Sequence, residues 1–87
     1  MIQIRTVTGE LFQVAWVGIS SIDGSLRFSL IQPEPMHVLQ VFTNSENCTT
    51  IYRVIDGEED LSFEGYTVFR GIQISYDNNV LVTLSKI

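Results

Sequence analysis

The sequence predicts a mainly β fold: a small barrel or sandwich of six to seven antiparallel strands, with one short helix near residues 35–43. Three observations predict it. Apolar side chains recur at every second position through most of the chain, the repeat of a half-buried strand. Turn signals fall about every 10 residues, the spacing of small all-β domains. The chain has 87 residues with no linker, internal repeat or low-complexity tract, so it reads as one domain over 1–87.

Segment 2–7 sets Ile2 and Ile4 against Gln3 and Arg5. Thr8-Gly9 then turns the chain, because glycine tolerates positive φ, and a hairpin with the next strand is expected. Segment 11–19 carries Phe12, Val14, Trp16 and Gly18 on one face and Leu11, Gln13, Ala15, Val17 and Ile19 on the other. Both faces are largely apolar, so this strand is expected at the centre of the fold, covered on two sides, with Trp16 in the core. Asp23-Gly24 is a strong hairpin signal. Segment 25–32 alternates Leu26, Phe28 and Leu30 against Arg27 and Ser29, and Pro33 ends it for want of an N–H.

The period-two pattern breaks once. Pro35 suits the first position of a helix, where its missing N–H costs nothing, and Glu34 just before it favours the positive helix start. Leu39 and Val38 share a face with Phe42, and Asn44 is the expected stop. A strand is the competing reading, since Val38, Val41 and Phe42 suit either element.

Segment 49–55 returns to strand, with Ile51, Arg53 and Ile55 against Tyr52 and Val54. Asp56-Gly57 opens an acidic loop over 56–60, and Leu61-Ser62-Phe63 reads as a short strand. Gly65 marks a bend or bulge. Segment 66–76 alternates again, Asp77-Asn78-Asn79 turns, and 80–84 closes as a strand. Most of the nine aromatics (five Phe, three Tyr, one Trp) are expected inside, since a domain of this size has no apolar area to spare.

Composition narrows the function. Ten acidic and five basic side chains give a formal charge of −5. Scattered, scarce cations do not make a nucleic-acid footprint, so no direct nucleic-acid partner is expected. The longest apolar stretch, Val14 to Ile19, is far below the ~18–20 residues of a membrane helix. Met1 leads straight into Ile2-Gln3-Ile4-Arg5, which is no signal peptide, and no membrane partner is expected. The lone Cys48 excludes an internal disulfide, and with the single His37 it cannot build a structural zinc site.

The one charged cluster is Asp56, Glu58, Glu59, Asp60 and Glu64. It reads as a solvated hairpin tip or as an acidic patch that binds a partner. Its spacing does not fit the calcium loop D-x-[DN]-x-[DN]-G-x₅-E, and no metal or other cofactor is expected. No carboxylate pair is visibly buried, as acid–base catalysis would need. Cys48 and His37 could form a nucleophile–base dyad only if the fold joined them, and no basic cluster lowers the thiol. The residue-level expectation is a polar-loop cysteine, an exposed histidine and no enzyme. Asn47-Cys48-Thr49 formally fits the N-glycosylation sequence, read as chance. Glycines stand singly, so no phosphate loop exists. Arg5, Arg27, Arg53 and Arg70 lie on strands, as snorkelling side chains, partners of the acidic loop, anchors at an interface, or a phosphate- or RNA-binding stripe beside aromatics, which the charge of −5 and the single Lys86 argue against.

Trp16-Val17-Gly18, Ile22-Asp23-Gly24-Ser25-Leu26-Arg27-Phe28, Val41-Phe42-Thr43-Asn44, Phe63-Glu64-Gly65-Tyr66-Thr67-Val68-Phe69 and Val80-Leu81-Val82-Thr83-Leu84 together resemble short uncharacterised β-rich proteins of bacteriophages and prophages. The resemblance implies a phage origin and the bacterial host cytoplasm as the place of synthesis, and it carries over no catalytic residue. The expected function is therefore a non-enzymatic protein-binding module. Its expected role is to inhibit a host defence protein, such as a CRISPR or other nuclease, through the acidic residues 56–64. The alternative is a virion or assembly component of the tail or baseplate, acting by edge-strand pairing or as a homo-oligomer through Val17 and Ile19.

Overall fold

The structure is a computed structural model in which residues 1–86 are described. Its elements, in chain order, are β1 (Ile2–Thr6), β2 (Leu11–Ile19), β3 (Leu26–Leu30), α1 (Pro35–Phe42), a 3₁₀ turn (Ser45–Cys48), β4 (Thr50–Ile55), β5 (Glu58–Glu64), β6 (Val68–Ile74) and β7 (Val80–Ser85). The mainly β reading holds, with seven antiparallel strands and one short helix. The strands form one continuous sheet in the order β5-β4-β1-β2-β3-β7-β6.

That order dictates a curled sheet. Flat, seven strands would set β5 and β6 about 29 Å apart, at ~4.8 Å per neighbour. Yet only Gly65, Tyr66 and Thr67 separate the end of β5 from the start of β6, a reach of at most about 15 Å. The two edges must therefore approach each other, and the molecule measures 30 × 27 × 25 Å. Tyr66 is buried in this link, and the Gly65 amide donates to the Thr49 carbonyl.

The helix fills the curl. Pro35 stands in its first turn as the sequence predicts, and Glu34 caps without a side-chain bond. Val38, Val41 and Phe42 form the buried face, and the Phe42 ring meets Phe12 and Phe28 at centroid distances of 5.9 and 5.5 Å. Ile4, Leu26, Leu30, Ile51, Val80, Val82 and Leu84 complete a dry core with no measurable exposure.

Four expectations are corrected. Strand β2 is central, fourth of seven, but covered on one side only, and Trp16 is 47% exposed. The cause is a bulge: Val14 pairs with Leu30 and Trp16 with Ser29, so Ala15 is spare and the strand changes phase. Phe12 and Val14 face in before it, and Val17 packs against the core after it. Tyr76 also leaves the interior and is fully exposed. The acidic residues are not a loop, because β5 already begins at Glu58. Cys48 is not exposed: beyond Asn44, whose side chain accepts from the Glu46 amide, the chain makes a 3₁₀ turn that buries Asn47 and Cys48.

Candidate functional site

The Asp56-Gly57 pair makes the two-residue hairpin turn between β4 and β5 that the sequence announced. Both residues have positive φ, 50° and 85°, which the mirror-image turn demands and which an Asp-Gly pair tolerates. Strand β5 then runs along β4 as an edge strand, so among the described residues no strand pairs with its outer side. Every β5 residue except Phe63 is exposed.

Asp56, Glu58, Glu59 and Asp60 are brought together at the turn end of this hairpin, whereas Glu64, opposite Thr50, lies at the far end of β5. Asp60 is the spare residue of a bulge, since Arg53 pairs with Leu61 and Val54 with Glu59. The bulge swings Asp60 onto Arg53, whose Nε donates to its Oδ2 at 2.8 Å and whose terminal nitrogen approaches the same oxygen. On the outer face Glu59 pairs with Arg5, and the Arg5 guanidinium lies 4.9 Å from the centre of the Tyr52 ring. Asp56 accepts from the terminal ammonium of Met1 at 3.1 Å. Glu58 and Glu64 have no ion-pair partner among the described residues. Five carboxylates against two guanidiniums and one ammonium leave the hairpin at a formal −2. Ile55, Asp56, Glu58, Glu59 and Asp60 line an open hollow of about 440 Å³. No group of three or more metal-ligating side chains with a metal-holding arrangement occurs among the described residues.

Cys48 and His37 are not brought together as a dyad. The Cys48 thiol is 2% exposed and donates to the Phe42 carbonyl at 3.0 Å, and burial raises its pKa from the usual 9.0. His37 rides on the exposed side of α1, 3.3 Å from Glu10, with its ring tilted 46° to Phe12 at a centroid distance of 5.6 Å. Asn47 is the residue the sequence undervalued. It is 2% exposed, its Nδ2 donates to the Val41 carbonyl at 2.8 Å, and its Oδ1 accepts from the Thr8 hydroxyl at 2.6 Å. Such an amide is locked in the fold and is no glycosylation acceptor.

A second surface includes Ile19, which the sequence offered as an interface residue, together with Trp16, which it placed in the core. Trp16, Ile19 and Ile22 are 47%, 47% and 93% exposed, and with Arg27 they wall a dent of about 250 Å³. Gly18 forms its floor, with nothing within 4 Å of where a side chain would start. The exposed Trp16 was hidden in the sequence because nothing in a period-two pattern announces a bulge at Ala15.

The chain matches no family model, no curated protein and no solved structure. No helix among the described residues is long and apolar enough to cross a membrane.

Proposed function

We propose that this chain is a non-enzymatic protein-binding module. In this reading it is made in the cytoplasm of a bacterial host and inhibits a host defence protein, a CRISPR or other nuclease, by covering a basic surface. The observation that carries the reading is the acidic hairpin, with Asp56 at its turn and Glu58, Glu59, Asp60 and Glu64 along an edge strand whose outer side pairs with no described strand. Arg5 and Arg53 support it by tying Glu59 and Asp60 to the sheet, so that the hairpin's side chains are ordered before a partner arrives. Glu58 and Glu64, without cationic neighbours, supply the outward field. A surplus of one sign steers encounter with the opposite sign and raises association rates.

The test is capture from infected or lysogenic cells with the intact protein as bait, alongside a Glu58→Lys/Glu64→Lys bait. A basic nucleic-acid-handling protein held by the first and lost from the second is the expected result. Identical captures on the two baits refute the reading.

The second reading, a virion or assembly component, is favoured by the unpaired outer side of β5 and by the exposed Trp16, Ile19 and Ile22. Val17 leaves that surface, since it packs against the core.

A further inference from the structure

The dent beside Trp16 has a counterpart at the other end of the molecule. Tyr76 is 103% exposed, an aromatic side chain with no cover at all, and it stands beside the exposed Asp77 at the β6–β7 turn. That turn is firmly built. The Ser75 amide donates to the Asn79 carbonyl, Asp77 Oδ1 accepts from the Asn79 amide, and Gln32 Nε2 donates to the Asp77 carbonyl at 3.1 Å. The chain thus carries an aromatic knob next to a carboxylate on a rigid tip.

The dent has the complementary chemistry. Trp16, Ile19 and Ile22 form apolar walls, and Arg27 brings the cation. Arg27 Nε donates to Ser25 Oγ at 3.3 Å, while its terminal nitrogen is 3.8 Å from Asp23, too far for a hydrogen bond, so the guanidinium keeps donors to offer. A hollow of about 250 Å³ falls below the size of a cofactor pocket and suits one aromatic side chain.

The register keeps knob and dent apart within one chain. Strands β3 and β7 pair from Leu26↔Leu84 to Leu30↔Val80; Ile22 lies in the turn beyond the first pair, Arg27 and Trp16 stand within the length of this ladder, and the Tyr76 turn lies beyond the last pair. The ladder alone is about 14 Å long at ~3.4 Å per residue. That length separates Tyr76 from the Ile22 end of its own dent.

We infer that the Trp16–Ile22 dent receives Tyr76 of a second copy of this chain, with Asp77 of that copy against Arg27. The contact is head-to-tail, so it propagates into a ring or an open chain of subunits rather than stopping at a two-fold dimer. It uses no residue of the acidic hairpin and stands or falls separately from that site. One knob in one dent is a small interface, so the association is weak and depends on concentration.

Sedimentation velocity on the whole protein, from about 10 µM to 1 mM, tests it in the range expected of a small interface. The wild type is expected to grow in mass with concentration. Tyr76→Ala and Ile22→Asp alter two exposed side chains, and each is expected to weaken association at least about tenfold. Mixed together, the first variant offers an intact dent and the second an intact knob, so the mixture is expected to stop at a 1:1 dimer. Arg27→Glu and Asp77→Arg are each expected to weaken association, and the two changes in one chain to restore it. A wild type that stays monomeric to 1 mM overturns the inference. So does self-association that ignores these substitutions, or a mixture that forms no dimer.

Discussion

Trp16 stands opposite Ser29 across the β2–β3 pair, one residue out of phase with Val14 opposite Leu30. That single offset takes the largest side chain of the protein out of the core and puts it beside Ile22 and Arg27 on the surface. The packing role is taken by Phe28 and Phe42 instead, both without exposure.

The first prediction follows from this exchange. Trp16→Ala is expected to change stability by no more than about 0.5 kcal/mol, as surface substitutions do. Phe42→Ala, which empties the space against Phe12 and Phe28, is expected to cost about 3–5 kcal/mol. Urea unfolding midpoints of the two variants check the contrast. A larger loss from Trp16 than from Phe42 would contradict the inward assignment of the helix.

Asn47 joins the β1–β2 turn to the end of α1 from a buried position. Asn47→Ala leaves the Val41 carbonyl and the Thr8 hydroxyl without this partner. It is expected to cost about 1–3 kcal/mol, the penalty of orphaning buried polar groups. Thermal unfolding measures it, and hydrogen exchange should show faster opening near Thr8 in the same variant.

The acidic hairpin depends on its turn. Gly57 sits at φ 85° with open space where a side chain would begin, so Gly57→Ala meets backbone strain and no clash. A loss of about 1 kcal/mol is expected. By contrast Arg53→Ala breaks an exposed ion pair with Asp60, and no more than about 1 kcal/mol should follow even though the net charge falls to −6. Denaturant titrations at low and high salt separate the two, since only the second is sensitive to ionic strength.

Cys48 is predicted to be unreactive in the folded protein. Burial keeps its thiol protonated, and its pKa is raised above the usual 9.0. The linked stability is fully present below the unfolded thiol's pKa and is lost as pH rises through the folded value. A thiol reagent at pH 8 should label the native protein far more slowly than the urea-unfolded chain. Equal labelling rates would place the thiol at the surface.

Asp23 gives the opposite sign. The Ser25 amide, followed by the Ser25 hydroxyl, stabilises its charged form and lowers its pKa from the usual 3.8. The help it gives the β2–β3 turn is present above the unfolded value and is lost as pH falls through the folded one. The protection factor of the Ser25 amide, its exchange rate relative to the unfolded chain at the same pH, is expected to fall as Asp23 is protonated in the wild type. Asp23→Asn, which cannot titrate there, should remove that acid dependence.

The strands, the turns and the helix were legible in the sequence because they are local. Alternation in 2–7 and 80–84, Asp-Gly at 23–24 and 56–57, and Pro35 at a helix start act within a few residues of themselves. The clustering of Asp56, Glu58, Glu59, Asp60 and Glu64 was equally plain. The strand arginines were legible as possible partners, but which carboxylate each takes was not: Arg5 and the Met1 ammonium lie more than fifty residues away and arrive through the pairing of β1 with β4, and Arg53 meets Asp60 only through the bulge in β5.

Local periodicity alone therefore determined an antiparallel β protein with one helix and an acidic hairpin. Tertiary structure decided which side of each strand is wet. The phase of β2 turns on the spare residue Ala15, and a bulge of one residue exchanges the two faces of a strand. The burial of Cys48 and Asn47 was decided in the same way, by the packing of a 3₁₀ turn against elements that a polar stretch of sequence does not name.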